Sequence, residues 1–411
     1  MNYRYAILGT GRKGTAAAYD LAKYGEAETI LLADADVQAA LNASRKVLSL
    51  LRKEKVHPLP KLQTASLKIE NPASVSRLIR SYRMVLSAVP YHLNPIVAQA
   101  AVQTRTNYCD LGGHIDTTRK ILKLNSQALK AGVVLIPDCG VAPGMVNTLA
   151  VCGIEHLDLC REVRIYCGGL PQKPRPPMGY KFVFSSDGPL ANYFGKAYVL
   201  RRGKVAEVPA LTEYEVVEFP EPLGRCEAFV TGGAASTAPW TFQNRLQTYE
   251  YKTVCYLGRY EKIQMLKDLG LLDDHPVTVN GTRVIPRKLF IQLAEKKPDF
   301  PEDRDIMVLR VACRGSKHGK PTELAYESID FHDEFTGFSA MERTTGFSAA
   351  AVMYMVLKGR VRSKGAVPLE KSIPARPFMD EIRKRGIKIT ETIRDLSHRN
   401  RTKTAEKTTV Q

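Results

Sequence analysis

A glycine-rich motif near the amino terminus constrains this chain more than any other feature. Gly9-Thr10-Gly11-Arg12-Lys13-Gly14 fits G-x-G-x-x-G, follows the apolar run Tyr3–Leu8 and opens a helical pattern at Gly14–Tyr24. In such a motif the first glycine permits a tight turn, the second lets backbone N–H groups approach a pyrophosphate, and the third lets helix and strand pack closely. The helix amino terminus adds partial positive charge. The sequence therefore predicts a dinucleotide site formed by Gly9, Gly11, Arg12 and Gly14.

An acidic residue at the end of the second predicted strand bears on which dinucleotide is bound. Leu31-Leu32-Ala33-Asp34 places a carboxylate 20 residues beyond Gly14. In this position a carboxylate accepts hydrogen bonds from the adenosine ribose hydroxyls. It would repel a 2′-phosphate, so the sequence predicts NAD as the cofactor. Arg12 is within reach of a phosphate and leaves NADP as the alternative.

The first 145 residues alternate short apolar runs with helical patterns. This alternation is typical of a parallel sheet that is covered by helices on both faces. The fold class predicted is α/β, a Rossmann doubly wound parallel sheet. Strands are expected at 3–8, 29–33, 67–69, 84–88, 108–111 and 133–137, and helices at 14–24, 37–51, 72–81, 95–103 and 117–131. Asn71 and Pro72 supply a helix start, because an Asn side chain caps well and proline is tolerated in the first turn.

The remainder of the chain divides into two further segments. Residues 146–340 contain longer polar and β-rich stretches with glycine turns, which predicts a second, α+β domain for substrate binding and dimerisation. Residues 341–411 contain a helical pattern at Gly346–Leu357 and then a basic tail. A chain of 411 residues is expected to divide its apolar surface between two cores.

Ionisable residues follow several strands of the predicted first domain. In a doubly wound sheet, ligands bind outside the carboxyl ends of the strands. We therefore predict that Ala88, Val89, Pro90 and Asp110 contact the cofactor and that Tyr91 packs against a ligand. His114, Asp110 and Asp138 are the candidate acid/base residues. The alternatives are that Asp110 and Asp138 are helix caps or turn residues, and that His114 is an ordinary loop histidine.

Charge and composition limit the partners. The formal net charge is +18, and residues 358–411 hold fifteen Lys/Arg against six Asp/Glu. Aromatic residues are not interleaved with these cations, so we do not expect nucleic-acid binding.

The eight cysteines are scattered without a C-x-x-C pair, which indicates reduced structural thiols and no metal site. The sequence shows neither a leader nor a membrane-spanning stretch, so we expect a cytoplasmic protein, and a homo-oligomer because β-rich domains must cover their edges.

Several motifs together resemble the saccharopine dehydrogenase family, and within it most closely its lysine 6-dehydrogenases. The likeness covers nearly the whole chain and includes the opening G-T-G-R-K-G motif. Its other blocks are Asp110-Leu111-Gly112-Gly113-His114-Ile115, Pro137-Asp138-Cys139-Gly140-Val141-Ala142-Pro143-Gly144-Met145, Tyr249-Glu250-Tyr251-Lys252-Thr253, Gly319-Lys320-Pro321-Thr322-Glu323-Leu324-Ala325-Tyr326-Glu327, Ala340-Met341-Glu342-Arg343-Thr344-Thr345 and Met379-Asp380-Glu381. The segments Tyr166-Cys167-Gly168-Gly169-Leu170-Pro171 and Gly179-Tyr180-Lys181-Phe182 are equally similar to the saccharopine-forming reductases of the family.

The resemblance implies an enzyme that oxidises the carbon next to an amine nitrogen with a nicotinamide, giving an imine that water hydrolyses. For the ε-amine of lysine the products would be 2-aminoadipate 6-semialdehyde and ammonia; for saccharopine the released amine would be glutamate. A non-catalytic dinucleotide-binding regulator is the alternative from another class. The resemblance also implies that the second domain is an insertion and that a late helix returns to the first domain.

An alkylammonium has a pKa of about 10.4 and must lose a proton before hydride transfer. We assign this step, and the activation of water, to His114 and Asp110, with Asp138 as an alternative base or as the group that orients the ammonium. Guanidinium groups bind carboxylates bidentately, so Arg245 and Arg343 are candidates for substrate recognition, with surface or interface ion pairs as the alternative. Weaker candidates for the substrate pocket are Tyr180, Ser236 and Thr237.

Overall fold

The computed structural model describes residues 3–176, 179, 193–295 and 303–397. In that part of the chain, seven strands form an all-parallel sheet in the order β17-β6-β5-β4-β1-β2-β3. This sheet confirms the predicted Rossmann fold class. Its strands are β1 Tyr3–Leu8, β2 Ala27–Asp34, β3 Lys61–Ser66, β4 Met84–Ser87, β5 Asn107–Asp110, β6 Val134–Ile136 and β17 Gly365–Ala366.

Helices cover both faces of the first sheet, and buried side chains form a hydrophobic cluster on each face. The Asn71 side chain accepts a hydrogen bond from Ser74 N at 3.1 Å, so the predicted cap is confirmed. Asp36 caps the preceding helix in the same way, accepting from Gln38 N at 2.9 Å. These helices are α1 Arg12–Tyr24, α2 Val37–Lys53, α3 Pro72–Ile79, α4 Asn94–Thr104, α5 Ile115–Leu122 and α6 Asn125–Ala131, with a 3₁₀ turn at Tyr91–Leu93.

Two elements of the first domain differ from the prediction. The third strand lies at Lys61–Ser66 rather than at residues 67–69, where Leu67 and Ile69 are buried in the following loop. As the last strand of the sheet, β3 is only half-buried, so its sequence lacks the apolar run of an interior strand. The helix predicted at 117–131 is two helices that part at Lys123–Leu124, where neither glycine nor proline marks the break.

Most strands of a second, mixed sheet lie between β6 and β17 in the sequence, and its last strand follows β17. Its described strands run in the order β10-β11-β12-β7-β15-β16-β18, with β8 beside β12 and β9 beside β8. They are β7 Leu159–Pro171, β8 Lys196–Arg201, β9 Lys204–Pro209, β10 Thr212–Glu218, β11 Arg225–Val230, β12 Thr248–Tyr256, β15 Asp305–Lys317, β16 Lys320–Phe331 and β18 Thr390–Asp395, and a separate hairpin comprises β13 Val277–Val279 and β14 Thr282–Val284. The helices with them are α7 Met145–His156, α8 Ala238–Phe242, α9 Arg259–Asp268 and α10 Pro286–Glu295. The predicted domain limit at residue 145 coincides with the first residue of α7. The limit at residue 340 coincides with the first residue of the next long helix, Ala340–Leu357.

That long helix, α11 Ala340–Leu357, packs along α1. A Cβ atom on Gly346 would lie 2.9 Å from the Ala16 Cβ and from the Lys13 carbonyl oxygen, so glycine allows the two helices to approach closely. A capping box begins α11, in which Ser339 Oγ accepts from Glu342 N at 3.1 Å and Glu342 Oε2 accepts from Ser339 N at 2.9 Å. The cap holds Glu342 beside the side chain of Arg12, next to the glycine motif.

The described part of the carboxyl-terminal segment, which was predicted as a basic tail, contains two helices and a strand of the second sheet. Helices α12 Leu369–Ser372 and α13 Ala375–Lys384 precede β18, which pairs with β16. Phe378, Met379 and Ile382 line one buried face of α13. The excess of positive charge concealed this apolar periodicity in the sequence. Among the described residues, no helix is long and apolar enough to cross a bilayer. All eight cysteines are buried and unpaired.

Candidate active site

The glycine motif forms an open cradle at the carboxyl end of β1. Gly9 has φ +93°, and a Cβ there would lie 2.5 Å from the Ala88 carbonyl oxygen. A Cβ on Gly14 would lie 1.9 Å from the Gly9 carbonyl oxygen, whereas one on Gly11 would meet no atom within 4 Å. Gly9 and Gly14 therefore bring strand and helix together, while Gly11 leaves space in front of the amino terminus of α1. This shape fits a dinucleotide pyrophosphate.

Asp34 is fixed at the end of the neighbouring strand. Its Oδ2 accepts hydrogen bonds from Thr10 N at 2.7 Å and from Thr10 Oγ1 at 3.0 Å, and its Oδ1 accepts from Asp36 N at 3.1 Å. The carboxylate is thus oriented beside the glycine cradle, where an adenosine ribose would lie in this fold. Arg12, whose reach toward a phosphate made NADP the alternative cofactor, is half-exposed and forms an ion pair with Glu342.

Asp110 serves as a hydrogen-bonding hub within the protein. Its Oδ1 accepts from Gly112 N at 2.7 Å and from Asp138 N at 2.9 Å, and its Oδ2 accepts from Tyr108 Oη at 2.6 Å. Burial raises the pKa of Asp110, and these three donors oppose the rise. Asp110 thereby ties the loop after β5 to the loop after β6. This geometry corresponds to the turn-residue alternative; the predicted cofactor contact and catalytic role of Asp110 stay predictions.

Asp138 is the buried carboxyl that links the two domains. Thr118 Oγ1 lies 3.1 and 3.0 Å from its two oxygens, and Ser236 Oγ of the second domain donates to Oδ2. Asp138 and Ser236 both have positive φ, +66° and +48°, which is uncommon outside glycine and is often found at functional sites. Burial, followed by the negative charge of Asp110, raises the pKa of Asp138 to about 8, against the opposing effect of the two hydroxyls. A carboxyl with this pKa can exchange a proton near neutral pH.

Two aromatic rings flank this edge of the sheet. The His114 and Tyr91 rings stack with centroids 5.2 Å apart and planes 9° apart. His114 is exposed at the start of α5, whereas Tyr91 is half-buried in the turn after Ala88-Val89-Pro90. Gly113 has φ +132°, a backbone conformation that favours glycine, and it lies in van der Waals contact range of Tyr91. The structure therefore brings His114 and Tyr91 together at the edge that also carries Asp110 and Asp138.

A narrow pocket, with a cavity volume of ≈ 10 Å³, lies between this edge and the second sheet. Its wall includes Ile115 from the first domain and Tyr198, Thr231, Ser236 and Tyr251 from the second. Ser236 lines the pocket, and its hydroxyl donates a hydrogen bond to Asp138. The Ser236 hydroxyl therefore connects the buried carboxyl to the pocket.

Arg119 lies near this pocket. Its guanidinium carbon is 4.3 Å from the Trp240 ring centroid and 5.2 Å from the centroid of Tyr198, which lines the pocket. The side chain of Arg119 is 40% exposed.

Other residues predicted for substrate binding lie elsewhere or are engaged. Arg343 pairs with Asp330 and Asp333, each at 2.9 Å, and is largely buried. Arg245 is exposed, and its guanidinium lies over the Phe242 ring. It is near the start of β7 and therefore at the end of α7 that is remote from Asp138. Thr237 donates to Glu370 at 2.8 Å instead of facing Asp138. Tyr180 lies outside the described residues. The ion pairs of Arg343 and the position of Arg245 favour the ion-pair and surface alternatives for these arginines.

Sequence reasoning missed three polar residues of this region. Thr118, inside the predicted helix 117–131, binds Asp138; Arg119 borders the pocket; and Glu370 accepts hydrogen bonds from Thr237 and from Thr241, the latter at 2.6 Å. Burial raises the pKa of Glu370. A hydroxyl at the start of a helix and a carboxylate in a basic segment carry no distinctive local pattern. Among the described residues, no group of three or more metal-ligating side chains converges.

Comparisons with known proteins bear on both domains. Residues 5–136 match the family model described as the saccharopine dehydrogenase NADP binding domain, and residues 140–387 match the saccharopine dehydrogenase C-terminal domain. Together, the fold and the site define a two-domain protein with a Rossmann dinucleotide-binding domain. The chain belongs to the saccharopine dehydrogenase family, which confirms the predicted family.

Individual relatives are similar at lower coverage. The mitochondrial α-aminoadipic semialdehyde synthase of Mus musculus is 26% identical over 390 residues, which cover 77% of this chain and 41% of that protein. The Schizosaccharomyces pombe saccharopine dehydrogenase (NADP(+), L-glutamate-forming) is 26% identical over 234 residues, covering 53% of this chain and 50% of that protein. The chain thus spans half or less of these curated relatives. The structure of apo saccharopine dehydrogenase (L-Glu forming) from Saccharomyces cerevisiae superimposes with a TM-score of 0.75 at 20% identity, covering 96% of this chain and 100% of that one, and shares the fold.

Proposed function

We propose that this protein is a nicotinamide-dependent dehydrogenase that oxidises the carbon next to the nitrogen of an amino-acid amine. The observation that carries the proposal is the buried Asp138 carboxyl, which both domains contact at the edge of the sheet that carries the dinucleotide cradle. The names of the relatives support an amino-acid substrate. Family membership and the cradle together favour this function over a non-catalytic regulator.

The chemistry follows from the groups at this edge. A bound nicotinamide supplies the hydride acceptor, with Gly9, Gly11, Gly14 and Asp34 holding the dinucleotide. The ionised carboxylate of Asp138 takes a proton from the substrate ammonium, which leaves the nitrogen lone pair free to form the imine. Asp138 releases that proton to solvent, and as a carboxylate again it takes a proton from the water that attacks the imine carbon and gives it to the departing amine nitrogen. Ser236 and Thr118 hold the carboxylate in place throughout.

The substrate is the narrower part of the proposal. The relatives named above favour saccharopine, a secondary amine, over the ε-amine of lysine that the sequence predicted. Saccharopine carries more carboxylates than lysine and needs further cationic groups. Arg119 beside the pocket is our candidate for one of them, because guanidinium binds carboxylates bidentately. Its ring contacts and its 3.8 Å ion pair with the exposed Asp116 leave its side chain 40% exposed.

A substrate panel tests the proposal directly. NAD(P)H absorbance is followed with saccharopine, lysine, ornithine and short diamines, each with NAD and with NADP. Turnover of saccharopine with release of glutamate supports the first choice, and turnover of lysine with release of ammonia supports the lysine 6-dehydrogenase alternative. Tight cofactor binding without turnover of any amine would leave the regulatory alternative.

The choice of cofactor rests on two opposing arguments. The family description and the relatives' names favour NADP, whereas Asp34 favours NAD. We propose NADP as the cofactor, with NAD accepted as well. We expect Asp34→Asn to raise the ratio of kcat/KM for NADP to that for NAD by about tenfold, because the variant removes the charge facing a 2′-phosphate.

Asp36→Asn is the matched control for the cofactor prediction. Asp36 lies two residues after Asp34 and is exposed, so this variant also removes one carboxylate charge. Asparagine at this position still caps α2. This control is expected to leave the cofactor ratio unchanged. An unchanged ratio in Asp34→Asn itself would show that Asp34 does not face the ribose.

The pH profile tests the role of Ser236. Its hydroxyl lowers the pKa of Asp138 from the higher value that burial alone would give. We expect Ser236→Ala to raise that pKa and to move the rising limb of amine oxidation to higher pH by about one unit, since a hydrogen bond to a charged group contributes about 1.5–3 kcal/mol. Thr212→Val removes a hydroxyl of the second domain that binds the Pro209 carbonyl oxygen at 2.6 Å, and should leave the midpoint in place. An identical midpoint in Ser236→Ala would remove Ser236 from the mechanism.

Homo-oligomerisation and a cytoplasmic location also remain proposals. The oligomer is tested by sedimentation of the purified chain over a range of concentrations, and the location by fractionation of the native cells. A single monomeric species at all concentrations would contradict the first.

A further inference from the structure

The amino-terminal edge of the first sheet carries a hollow that the proposed reaction does not use. It has a volume of ≈ 380 Å³ and is lined by the loops that lead into β4, β5, β6 and β17. These four strands are neighbours in the sheet and parallel, so their amino ends meet there while the dinucleotide cradle and Asp138 lie at the opposite edge. Four residues of β4 span about 13 Å, which separates the two edges.

Each of three loops contributes positive charge to this hollow. Arg80 and Arg83 lie before β4, Arg105 before β5 and Lys364 before β17. All four side chains are exposed, and the structure gives none of them an ion pair, a side-chain hydrogen bond or a ring contact among the described residues. No carboxylate belongs to the described lining. The hollow therefore gathers four unneutralised cations.

Negative helix ends offset only part of this positive charge. Arg80 is the C-cap residue of α3, Arg105 that of α4 and Gly132 that of α6, so three helix carboxyl ends point at the hollow. Each end carries about half a negative charge, about 1.5 in total, against four positive side chains. Arg105 also has φ +56° at a helix end, where glycine is the usual residue. The net potential of the hollow is positive after the dipoles are counted.

We propose that this hollow is a binding site for a small polyanion with clustered phosphates. Three guanidinium forks suit phosphate oxygens, which they bind bidentately. The described lining offers little apolar surface apart from the Tyr82 ring, which is itself buried, so binding energy comes from charge and the ligand is polar throughout. Four cations match a ligand of several negative charges, such as tripolyphosphate. Because the hollow and the dinucleotide cradle lie at opposite edges, both sites can be filled at once.

The test is calorimetric titration of the full chain with sodium tripolyphosphate, with ATP and citrate as the other two arms. Saturating NADP is present throughout to fill the pyrophosphate cradle. We expect tripolyphosphate to bind more tightly than citrate and to lose affinity as salt is raised, because exposed charges are screened. ATP binding as tightly as tripolyphosphate would identify a nucleoside phosphate as the source. Tighter binding of citrate would overturn the phosphate assignment.

A matched pair of glycine variants makes the test specific. Arg105→Gly removes one cation and relieves a positive φ, so we expect at least a tenfold loss of affinity with an unchanged or higher Tm. Arg202→Gly makes the same change at φ +51° in the exposed turn between β8 and β9, in the other domain, and should bind as the parent does. Equal affinity in Arg105→Gly and the parent, or equal loss in both variants, overturns the proposal.

Discussion

Asp138→Asn is expected to lower kcat/KM for the amine substrate by about 10²–10⁴-fold, the range typical of a lost general acid/base. Asparagine keeps the shape of the side chain and can still be bonded by Thr118 and Ser236, whose hydroxyls rotate freely. It cannot accept the proton of an ammonium. The measurement is steady-state kinetics from pH 6 to 10, together with cofactor affinity, which should be unchanged.

The same variant has an expected effect on stability that depends on pH. The pKa of Asp138 is about 8 in the folded protein and about 4 in the unfolded chain, so the folded state retains a proton that the unfolded state releases. The stability of the parent therefore falls as pH rises from about 4 to about 8, and asparagine is free of this penalty. We expect Asp138→Asn to have a higher Tm than the parent at pH 9 and a similar Tm at pH 4.

Two further variants place this result in context. Glu70→Gln, at an exposed position shortly before α3, is the neutral control for loss of a carboxylate. His114→Ala tests the competing assignment, in which the exposed imidazole stacked on Tyr91 is the base. If His114→Ala abolishes turnover while Asp138→Asn retains the parental rate, the acid/base role belongs to His114 and our assignment is wrong.

The second large effect concerns a buried ion cluster that fastens the end of the chain to α1. Arg385 Nε donates to Asp20 Oδ1 at 2.9 Å, and its Nη1 donates to Glu381 Oε2 at 2.7 Å. The side chains of Arg385 and Asp20 are both fully inaccessible to solvent. We expect Arg385→Ala to lower the free energy of unfolding by about 3–5 kcal/mol, because Asp20 stays buried without its guanidinium partner and must either carry an uncompensated charge or take up a proton. Thermal or denaturant unfolding measures the loss.

The neighbouring lysine provides the control. Lys384 also pairs with Glu381, at 3.1 Å, but its side chain is 60% exposed. Lys384→Ala should therefore cost less than about 1 kcal/mol. The double variant Asp20→Asn/Arg385→Met removes both charges and should recover much of the loss. If Arg385→Ala and Lys384→Ala lower Tm equally, the buried cluster is not what holds this segment.

The pH dependence of the Arg385→Ala loss has a definite sign. Burial raises the pKa of Asp20 to about 6 even with Arg385 beside it, and removing the guanidinium raises it further. In the variant, the folded state favours protonated Asp20, whereas the unfolded state ionises near pH 4. The penalty is therefore absent below about pH 4 and grows as pH rises. The difference in Tm between parent and variant should be larger at pH 8 than at pH 5.

The glycine motif, Asp34 and Asp138 could be placed from the sequence because their signals are local. A strand, a turn that requires glycine and a helix amino end occupy adjacent residues, and strand ends mark where side chains collect. The position of β3 was predicted wrongly, because a half-buried edge strand has no apolar run to mark it. The helix predicted at 117–131 was also wrong, because the chain forms two helices that part at Lys123–Leu124. The catalytic role that the sequence suggested for Asp110 stays a prediction, and its oxygens accept hydrogen bonds from Tyr108, Gly112 and Asp138.

The sequence by itself determined the Rossmann domain, the edge of the sheet at which the glycine motif lies and the family, since each depends on patterns a few residues long. Only the tertiary structure decided which groups meet at that edge. Ser236 reaches Asp138 across 98 residues, and Arg385 reaches Asp20 across 365. Such pairs depend on how the second sheet and α13 pack against the first domain. Packing is set by the shapes of whole surfaces, and no short pattern in the chain encodes it.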